Sequence, residues 1–291
     1  FSLVAGIGDG TWRPVHEFCE QNELPCLFPI TDLPVVSETD HYSFYFSKGI
    51  TLEAEALSKQ LRSERQNGQR LIQIVGTDER AKTAADILRQ RLATDEPMAI
   101  DEYTLTSWNA LDDSLRAASA SDGNAGLVLW LTFDELASVD MPLATPDHSM
   151  PVYISSTLAG PTTAGLPAFI QDSGYLVLSF DFPESLSKRF RRMHPWLRAR
   201  KLEVTDESVQ ANTLFTVSLT SQALKHVASN FYREYFIEKV EHTVGSILMP
   251  SAYPELSVAR DQRYASKGAY LVRIASNPGG EAQSEAEWIV P

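Results

Sequence analysis

The segments YSFYFSKGITLEAEALSKQL (residues 42–61) and RLIQIVGTDERAKTAADILRQRL (residues 70–92) decide the fold that the sequence predicts. The first is an aromatic extended stretch that leads into a helix, because its apolar residues recur at helical spacing. The second is a short apolar strand, a Gly-Thr-Asp turn and another helix. The inward-facing residues of the two helices are Ile50, Ala54, Leu57 and Leu61, then Ala81, Ala85, Leu88 and Leu92. Helix, strand and helix in this order form the repeating unit of a parallel α/β sheet.

Short apolar segments alternate with helical patterns on both sides of this block. Further strands are predicted at residues 2–8, 26–28, 99–105, 126–131, 151–155, 175–180 and 268–272. Helices are predicted over residues 12–22, around residues 111–118 and over most of residues 184–245, with core candidates at Val217, Leu224, Phe231 and Val240. The last dozen residues are rich in Glu, Ser and Gly, which predicts a loosely held tail. The alternation predicts an α/β protein whose parallel sheets are flanked by helices.

The composition limits the classes of protein to which the chain can belong. Its 291 residues suffice for one large domain or two lobes. A formal charge of −13 disfavours a nucleic-acid partner, because a phosphate backbone would be repelled. The longest apolar runs are far too short to span a bilayer. Phe1 opens directly into an apolar segment, which fits a mature exported chain and equally a sequence that begins inside a longer protein.

No sequence motif predicts catalysis, a cofactor or a metal site. Gly6, Gly8 and Gly10 lack the GxGxxG spacing of a dinucleotide loop, and no GxSxG elbow occurs. His16 lacks the second histidine of a metalloprotease helix, so we predict that it lies on an exposed helix face. The other histidines are scattered. We therefore predict a protein that is not an enzyme and that binds no cofactor and no metal.

The two cysteines, Cys19 and Cys26, are separated by six residues. This is not the spacing of a zinc or haem site. They form either a small-loop disulfide in an oxidising compartment or two buried thiols in a reducing one.

A basic cluster lies between residues 188 and 201 of this acidic chain. It is either a solvated helix face paired with nearby acids, which is the usual case, or a docking patch for an acidic partner. Its members are Lys188, Arg189, Arg191, Arg192, Arg198, Arg200 and Lys201.

Polar loops follow several of the predicted strands, at the end where ligands bind in open parallel sheets. Together they offer hydroxyls, carboxylates, one arginine and one aromatic ring, which suits a small polar molecule. The same residue types are also ordinary helix N-caps. The loops are residues 8–11, 29–31, 77–80, 132–133 and 155–157.

With these segments, the chain resembles the type I periplasmic binding proteins, the branched-chain amino acid and amide receptors that serve ABC transporters. The likeness is carried by VAGIG and LPCLFP, by YSFYFSKG and RLIQIVGTDERAKTAADIL, and then by GLVLWL, PVYISSTL and YPELSVARDQRYASKGAYLV. It implies two α/β lobes, with residues 1–45 plus 181–247 in lobe 1 and residues 46–180 plus 248–291 in lobe 2. A ligand would bind in the cleft between the lobes, and a hinge would close the cleft.

The resemblance also implies a set of ligand-binding residues. The ligand would be an amino acid, an amide or a small carboxylate, with Phe133 or Tyr153 stacking on it. Ser156 stands where family members often place an acid for an amino group, which argues against an amino acid. The implied contacts are Asp9, Gly10, Thr11, Ile30 and Thr31 in lobe 1, and Asp78, Glu79, Arg80, Thr132, Phe133, Ser156 and Thr157 in lobe 2.

Three further expectations follow from the resemblance. Export to the periplasm, which is usual in the family, favours a disulfide between Cys19 and Cys26. Residues 2–8 resemble the third strand of lobe 1, so this lobe either needs preceding residues or has been rebuilt. The chain is then a solute-binding receptor whose partners are a small ligand and the membrane subunits of an ABC-type uptake system. The alternative is a ligand-sensing or protein-interaction domain that kept the fold without transport.

Overall fold

Two units, each assembled from two separate stretches of sequence, make up the computed structural model of the chain. Unit 1 comprises Phe1–Gly49 and Phe180–Lys267, and unit 2 comprises Ile50–Ser179 and Gly268–Pro291. The structure describes residues 1–37, 39–64, 70–94, 97–105, 125–138, 150–161, 165–167, 170–171, 174–228, 230–259, 261–274 and 286–291. The helix predicted around residues 111–118 lies outside the described residues.

Helices and strands alternate along most of the chain, as predicted. They are β1 (Leu3–Val4), α1 (Arg13–Gln21), β2 (Cys26–Leu27), β3 (Ser43–Phe44), α2 (Ile50–Ser63), β4 (Arg70–Val75), α3 (Glu79–Leu92), β5 (Ala99–Thr104), β6 (Ala125–Trp130), α4 (Phe133–Ser138), β7 (Val152–Ser155), α5 (Ser156–Ala159), β8 (Gly174–Leu178), α6 (Pro183–Phe190), α7 (His194–Ala199), α8 (Glu207–His226), α9 (Arg233–Thr243), β9 (Ala269–Arg273) and β10 (Ala286–Ile289). The helices at 133–138 and 156–159 and the strand at 286–289 are additions to the prediction. Within the described residues, no helix is both long enough and apolar enough to cross a bilayer.

Unit 2 is built on a seven-stranded sheet with the strand order β10-β9-β8-β7-β6-β4-β5. Strands β4 to β8 run parallel to one another, whereas β9 pairs antiparallel with both β8 and β10. Every residue of β6 is buried, as expected for a parallel strand covered on both faces. The carboxyl ends of β4, β6, β7 and β8 therefore lie along one edge of this sheet.

The end of the chain is more ordered than its composition predicts. Residues 286–289 form β10, and Trp288 packs on Tyr270 of β9 with the ring centroids 4.5 Å apart. The prediction of a loose tail is therefore wrong for this segment. Pairing with β9 supplies the order that the local composition does not.

Unit 1 contains a three-stranded parallel sheet in the order β1-β2-β3. One core cluster joins the aromatic residues of the sheet to α8 and α9, and it includes Phe28, Phe44, Phe46, Phe215 and Phe236. A second cluster contains Trp12, Cys19, Cys26 and Tyr45. The first cluster packs the helical region against the strands, although the two are distant in sequence, and the second packs α1 against them.

Two of the predicted core positions of the helical region are exposed. Val240 is fully buried, but Val217 is 47% exposed and Phe231 is 63% exposed. The apolar face of α8 instead runs through Leu214, Phe215 and Leu219. Helical spacing alone did not determine which apolar face turns inward.

Residues 248–267 belong to unit 1, although the sequence assigns them to the second lobe. Their backbone continues the pairing of the segment after β3. The amide of Tyr45 donates to the carbonyl of Arg263 at 2.8 Å, and the amide of Ala265 donates to the carbonyl of Tyr45 at 3.0 Å. The chain therefore passes between the units at residues 49–50, 179–180 and 267–268.

Candidate ligand-binding site

In unit 2 the predicted ligand-binding residues lie in loops at one edge of the sheet. Thr77 and Asp78 follow β4, Thr132 follows β6, and Ser156 and Thr157 follow β7. Strand β6 pairs in parallel with both β4 and β7, so these loops are neighbours. The sequence prediction that these loops cluster therefore agrees with the register of the strands.

Glu135 ties the loop after β4 to the loop after β6. Its Oε1 accepts hydrogen bonds from the backbone N–H and the hydroxyl of Thr77, each at 2.9 Å. Its Oε2 accepts from the backbone N–H and hydroxyl of Thr132, at 2.9 and 3.1 Å. Burial acts to raise the pKa of this carboxyl, but the hydrogen bonds outweigh burial and hold the pKa below its usual value.

A glycine is required beside this carboxylate. A Cβ atom placed on Gly76 would lie 2.3 Å from Oε2 of Glu135. Any side chain at residue 76 would therefore push Glu135 away from Thr77 and Thr132. The absence of a side chain allows the close approach of the two loops.

As Glu135 does for β4 and β6, Glu53 ties the residues that follow β7 to the residue that follows β8. This residue of α2 is fully buried, and its carboxylate accepts hydrogen bonds from a group of hydroxyls. The donors are Ser155, Ser156 at 2.9 Å, Thr157 at 2.7 Å and Ser179 at 3.2 Å. Burial raises the pKa of this carboxyl, against the lowering effect of the hydroxyls.

The hydroxyls of Ser156 and Thr157 are thus directed at a residue of the protein itself. The sequence predicted that both residues contact a ligand. The backbone N–H of Thr157 also donates to Glu53, at 3.3 Å. The polar atoms at the end of β7 are therefore already hydrogen-bonded inside unit 2.

Asp78 and Arg80 form a compact pair at the beginning of α3. The carboxylate of Asp78 caps the helix by accepting from the backbone N–H of Arg80 at 2.7 Å, and it also accepts from the Arg80 guanidinium at 2.8 Å. The hydrogen bonds from Arg80 hold the pKa of Asp78 below its usual value. Glu79, the residue between them, is exposed in the first turn of α3.

Phe133 is the aromatic residue of this edge that remains accessible. It is 41% exposed, and a Cβ atom on Gly165 would lie 3.2 Å from its ring. Tyr153, the other aromatic residue expected to stack on a ligand, is buried and stacks on Tyr175 with the centroids 5.4 Å apart. The expectation for Tyr153 is therefore wrong, because its side chain packs on the face of the sheet.

In unit 1 the predicted residues also lie at the ends of parallel strands. The amide of Ile30 donates to the carbonyl of Gly6 at 2.7 Å, and the amide of Gly8 donates to the carbonyl of Ile30 at 3.1 Å. The loop after β1, with Asp9, Gly10 and Thr11, is consequently adjacent to Ile30 and Thr31. The hydroxyls of Thr11 and Thr31 accept from the backbone amides of Arg13 and Leu33.

Sequence reasoning missed the two carboxylates that organise unit 2. Glu53 occurs in LEAEAL, where helical periodicity places it three residues after Ile50 and four before Leu57. A charged residue on the core face of a helix is therefore a signal that could have indicated Glu53. Glu135 has no comparable signal, because its exposure is intermediate and its helix is short.

His16 is buried in unit 1, so its predicted exposure on a helix face is wrong. Its Nδ1 lies 2.9 Å from the hydroxyl of Tyr45, and its Nε2 lies 3.3 Å from Oδ1 of Asp40. Glu20, nearby, accepts from the backbone amides of His41 and Tyr42. His16, Glu20 and Asp40 could hold a metal ion, since their ligand atoms lie within 4.8 Å of one another. The same atoms already serve as partners in a hydrogen-bond network, which accounts for their grouping.

Cys19 and Cys26 are free thiols in the structure, and both are buried. The two side chains are hydrogen-bonded to each other, so the thiols are adjacent. Burial raises the pKa of both. The disulfide that the resemblance implies stays a prediction, and the proximity of the thiols is compatible with it.

No protein-family model matches the sequence, and no curated protein matches it either. Solved structures are nevertheless similar to it. One is a leucine-binding protein from Thermotoga maritima, with 11% sequence identity, a TM-score of 0.60, and coverage of 99% of this chain and 80% of that chain. Another is a branched-chain amino acid transporter substrate-binding protein from Streptococcus pneumoniae in complex with isoleucine, with 15% identity, a TM-score of 0.59, and coverage of 98% and 79%.

A third similar structure is a branched-chain amino acid ABC transporter protein from Thermus thermophilus with bound valine. Its sequence identity is 13% and its TM-score 0.61, and the match covers 93% of this chain and 74% of that chain. At such identities the likeness is one of fold.

Proposed function

We propose that this chain, which has the type I periplasmic-binding-protein fold, is a non-enzymatic receptor for a small polar solute. The observation that carries the proposal is the common edge formed by the ends of β4, β6 and β7, where the ring of Phe133 is 41% exposed. Loops at the carboxyl ends of parallel strands are the usual ligand sites of α/β proteins. Glu135 and Glu53 fix these loops, so a ligand would meet a preorganised surface.

The ligand class is an amino acid, an amide or a small carboxylate. Two similar structures carry isoleucine and valine, which supports this class. The ring of Phe133 supplies an apolar contact, and backbone amides at the beginning of the helices supply donors for a carboxylate. Since Ser156 offers no carboxylate for an amino group, we rank amides and small carboxylates first.

Delivery to the membrane subunits of an ABC-type uptake system, from the periplasm, completes the proposal. It rests on the names of the similar structures, several of which belong to ABC transporter systems. Binding without catalysis is in keeping with the same neighbours, which are named as binding or substrate-binding proteins.

Thermal unfolding against a panel of amino acids, amides, short carboxylates and aromatic acids tests the proposal. A ligand present at about 100 times its Kd stabilises a protein by about 2.7 kcal/mol. In a chain of this size we expect a rise in Tm of about 4–8 °C for such a ligand. Isothermal titration would then give the Kd. No rise with any solute of the panel would contradict the proposal.

Phe133→Ala is the variant that links the effect to the candidate site. Because Phe133 is partly exposed, we expect the variant to fold and to lose most of the ligand-dependent rise in Tm. Phe18→Ala is the matched control, since Phe18 is 54% exposed in unit 1 and belongs to none of the candidate loops. If Phe133→Ala keeps the full ligand-dependent rise in Tm, the ligand does not bind at this edge of unit 2.

A second candidate function is a sensory or protein-interaction domain that no longer binds a solute. One observation favours it: the hydroxyls of Ser156, Thr157, Thr77 and Thr132 all donate to Glu53 or Glu135. A ligand would have to replace these bonds or use other groups. A folded protein that no solute stabilises would support this second function.

A further inference from the structure

The basic cluster of the helical region lies beside a cavity in unit 1. Helix α6 and the turn after it contribute Arg189 and Arg192 to the cavity, and the segment 244–256 forms much of the opposite wall. The cavity has a volume of about 240 Å³. We call Lys188, Arg189, Arg191, Arg192, Arg198, Arg200 and Lys201 the basic surface.

Among the described side chains, one ion pair involves the basic surface. All its members except the half-buried Arg189 are exposed. Arg189 donates to Asp181 at 2.7 Å and to the carbonyl of Tyr253 at 3.2 Å. The guanidinium of Arg200 lies over the ring of Trp196, 4.0 Å from the centroid. Within the described part of the chain, Asp181 is the acid that pairs with this surface.

The cavity wall is mixed and partly open to water: apolar side chains line it together with Arg189, Arg192, Ser251 and the exposed Glu255. Phe215, Val244, Ile247 and Leu256 contribute to it, together with Leu248 and Met249. Leu248 is 86% exposed and Met249 is 41% exposed. Exposed apolar residues that adjoin a concave surface are a common feature of protein-binding sites.

We propose that the cavity and the basic surface dock a short acidic segment of a partner protein. One aliphatic or aromatic side chain of the segment fills the cavity, and carboxylates beside it pair with Arg192 and Lys188. Lys188 lies in the last turn of α6 and Arg192 in the turn that follows it, and both are exposed. Arginine binds carboxylates through two parallel hydrogen bonds, which would fix the orientation of the segment.

The size of the cavity favours one side chain over a whole small molecule. Ligand pockets usually have volumes of about 300–1,000 Å³, and this cavity is smaller. A single apolar anchor in a pocket, surrounded by weaker polar contacts, is the usual arrangement of a binding hot spot.

The net charge of −13 favours a short acidic segment over an anionic membrane. Charges act over about 8–10 Å at physiological salt. A short segment therefore experiences mainly the local positive field of the basic surface, whereas an extended anionic bilayer would also meet the acidic remainder of the chain.

Fluorescence anisotropy with the labelled peptide Glu-Asp-Leu-Phe-Glu-Asp tests the proposal on the full chain. We expect a Kd on the order of 10–100 μM, which is typical of a small, transient interface. Binding should weaken as salt increases. Replacing Leu-Phe of the peptide with Ser-Ser should raise the Kd about tenfold or more, because the apolar anchor is lost.

Arg192→Glu should raise the Kd for this peptide at least about tenfold. Lys225→Glu is the matched control, because Lys225 is an exposed cation of the same unit that does not line the cavity. Leu248→Ser should also weaken binding and, since Leu248 is mostly exposed, should leave the fold intact. The solute-dependent Tm shift should be the same in all three variants, which separates this proposal from the proposed receptor function.

Several outcomes would overturn the proposal. They are no binding at about 1 mM protein, equal binding of the Ser-Ser peptide, and equal losses in Arg192→Glu and Lys225→Glu. Binding to vesicles that contain phosphatidylglycerol without binding to the peptide would instead assign the surface to a membrane.

Discussion

Thr157 donates two hydrogen bonds to Oε1 of Glu53, one from its hydroxyl at 2.7 Å and one from its backbone N–H at 3.3 Å. The resemblance assigns Thr157 to ligand binding. In the structure Thr157 instead holds the start of α2 against the end of β7. Ser179, the last residue before the chain leaves unit 2, donates to the same oxygen at 3.2 Å. Glu53 consequently fixes one of the segments through which the chain passes between the units.

The first prediction concerns the removal of Glu53. Glu53→Ala leaves several buried hydroxyls without their acceptor, so we expect it to lower the free energy of unfolding by about 3–5 kcal/mol. Glu53→Gln retains one carbonyl acceptor and should have a smaller effect. Urea unfolding monitored by circular dichroism measures both. Glu79→Gln, on an exposed site of α3, is the control and should change stability by less than about 0.5 kcal/mol.

The pH dependence of the same variants has a defined sign. Because the pKa of Glu53 is raised in the folded state, its contribution to stability is complete below the pKa of the unfolded chain, about 4.3. It is lost as the pH rises through the folded pKa. The stability difference between wild type and Glu53→Gln should therefore decrease as the pH rises above about 4.3. An increase over this range would contradict the pKa direction.

The second prediction concerns Gly76 and Glu135. Gly76→Ala should displace the Glu135 carboxylate, and Glu135→Gln should weaken its hydrogen bonds to Thr77 and Thr132. We expect each variant to lower the free energy of unfolding by about 1–2 kcal/mol. The double variant should lose less than the sum of the two, because both changes remove the same bonds. Full additivity would show that Gly76 acts independently of Glu135.

Glu135 should also respond to pH in the opposite sense to Glu53. Its pKa is lowered in the folded state, so its contribution is present above the unfolded value of about 4.3 and is lost as the pH falls through the folded pKa. The destabilisation caused by Glu135→Gln should therefore shrink on acidification. Unfolding curves between pH 3 and pH 7 (a window set by the usual pKa of about 4.3) measure it.

The third prediction concerns the buried network around His16. His16→Ala removes the buried imidazole that contacts the Tyr45 hydroxyl and the Asp40 carboxylate, which keep hydrogen bonds to the backbone of Val35 and Ser37, so we expect a loss of about 1–2 kcal/mol. His242→Ala is the control, since the side chain of His242 is 72% exposed on α9. Chemical denaturation of both variants gives the comparison, and equal stabilities would mean that the network contributes little.

The fourth prediction concerns the two cysteines. If the protein matures in an oxidising compartment, we expect a bond between Cys19 and Cys26 that stabilises it by about 2–3 kcal/mol, because the loop that it closes is short. Alkylation of the denatured, unreduced protein followed by mass spectrometry detects it. Two alkylated cysteines in protein isolated from such a compartment would contradict the disulfide.

Much of the local structure could be predicted from the sequence. The apolar run at residues 126–131 predicted a doubly covered strand, and β6 is buried along its whole length. The Gly-Thr-Asp turn before α3 places Asp78 at its N-cap. In both cases the signal is a periodicity or a turn within a few neighbouring residues. Such local patterns determine the backbone conformation without contacts from distant parts of the chain.

The tertiary structure alone decided what the polar residues of the strand ends do. Ser155 and Glu53 are 102 residues apart, and Thr77 and Glu135 are 58 apart, so no local pattern relates them. The same holds for His16, whose burial depends on Tyr45 and Asp40, and for β10, which is ordered by pairing with β9. A buried polar group must find a partner wherever the fold brings one, and long-range packing rather than sequence spacing determines which partner that is.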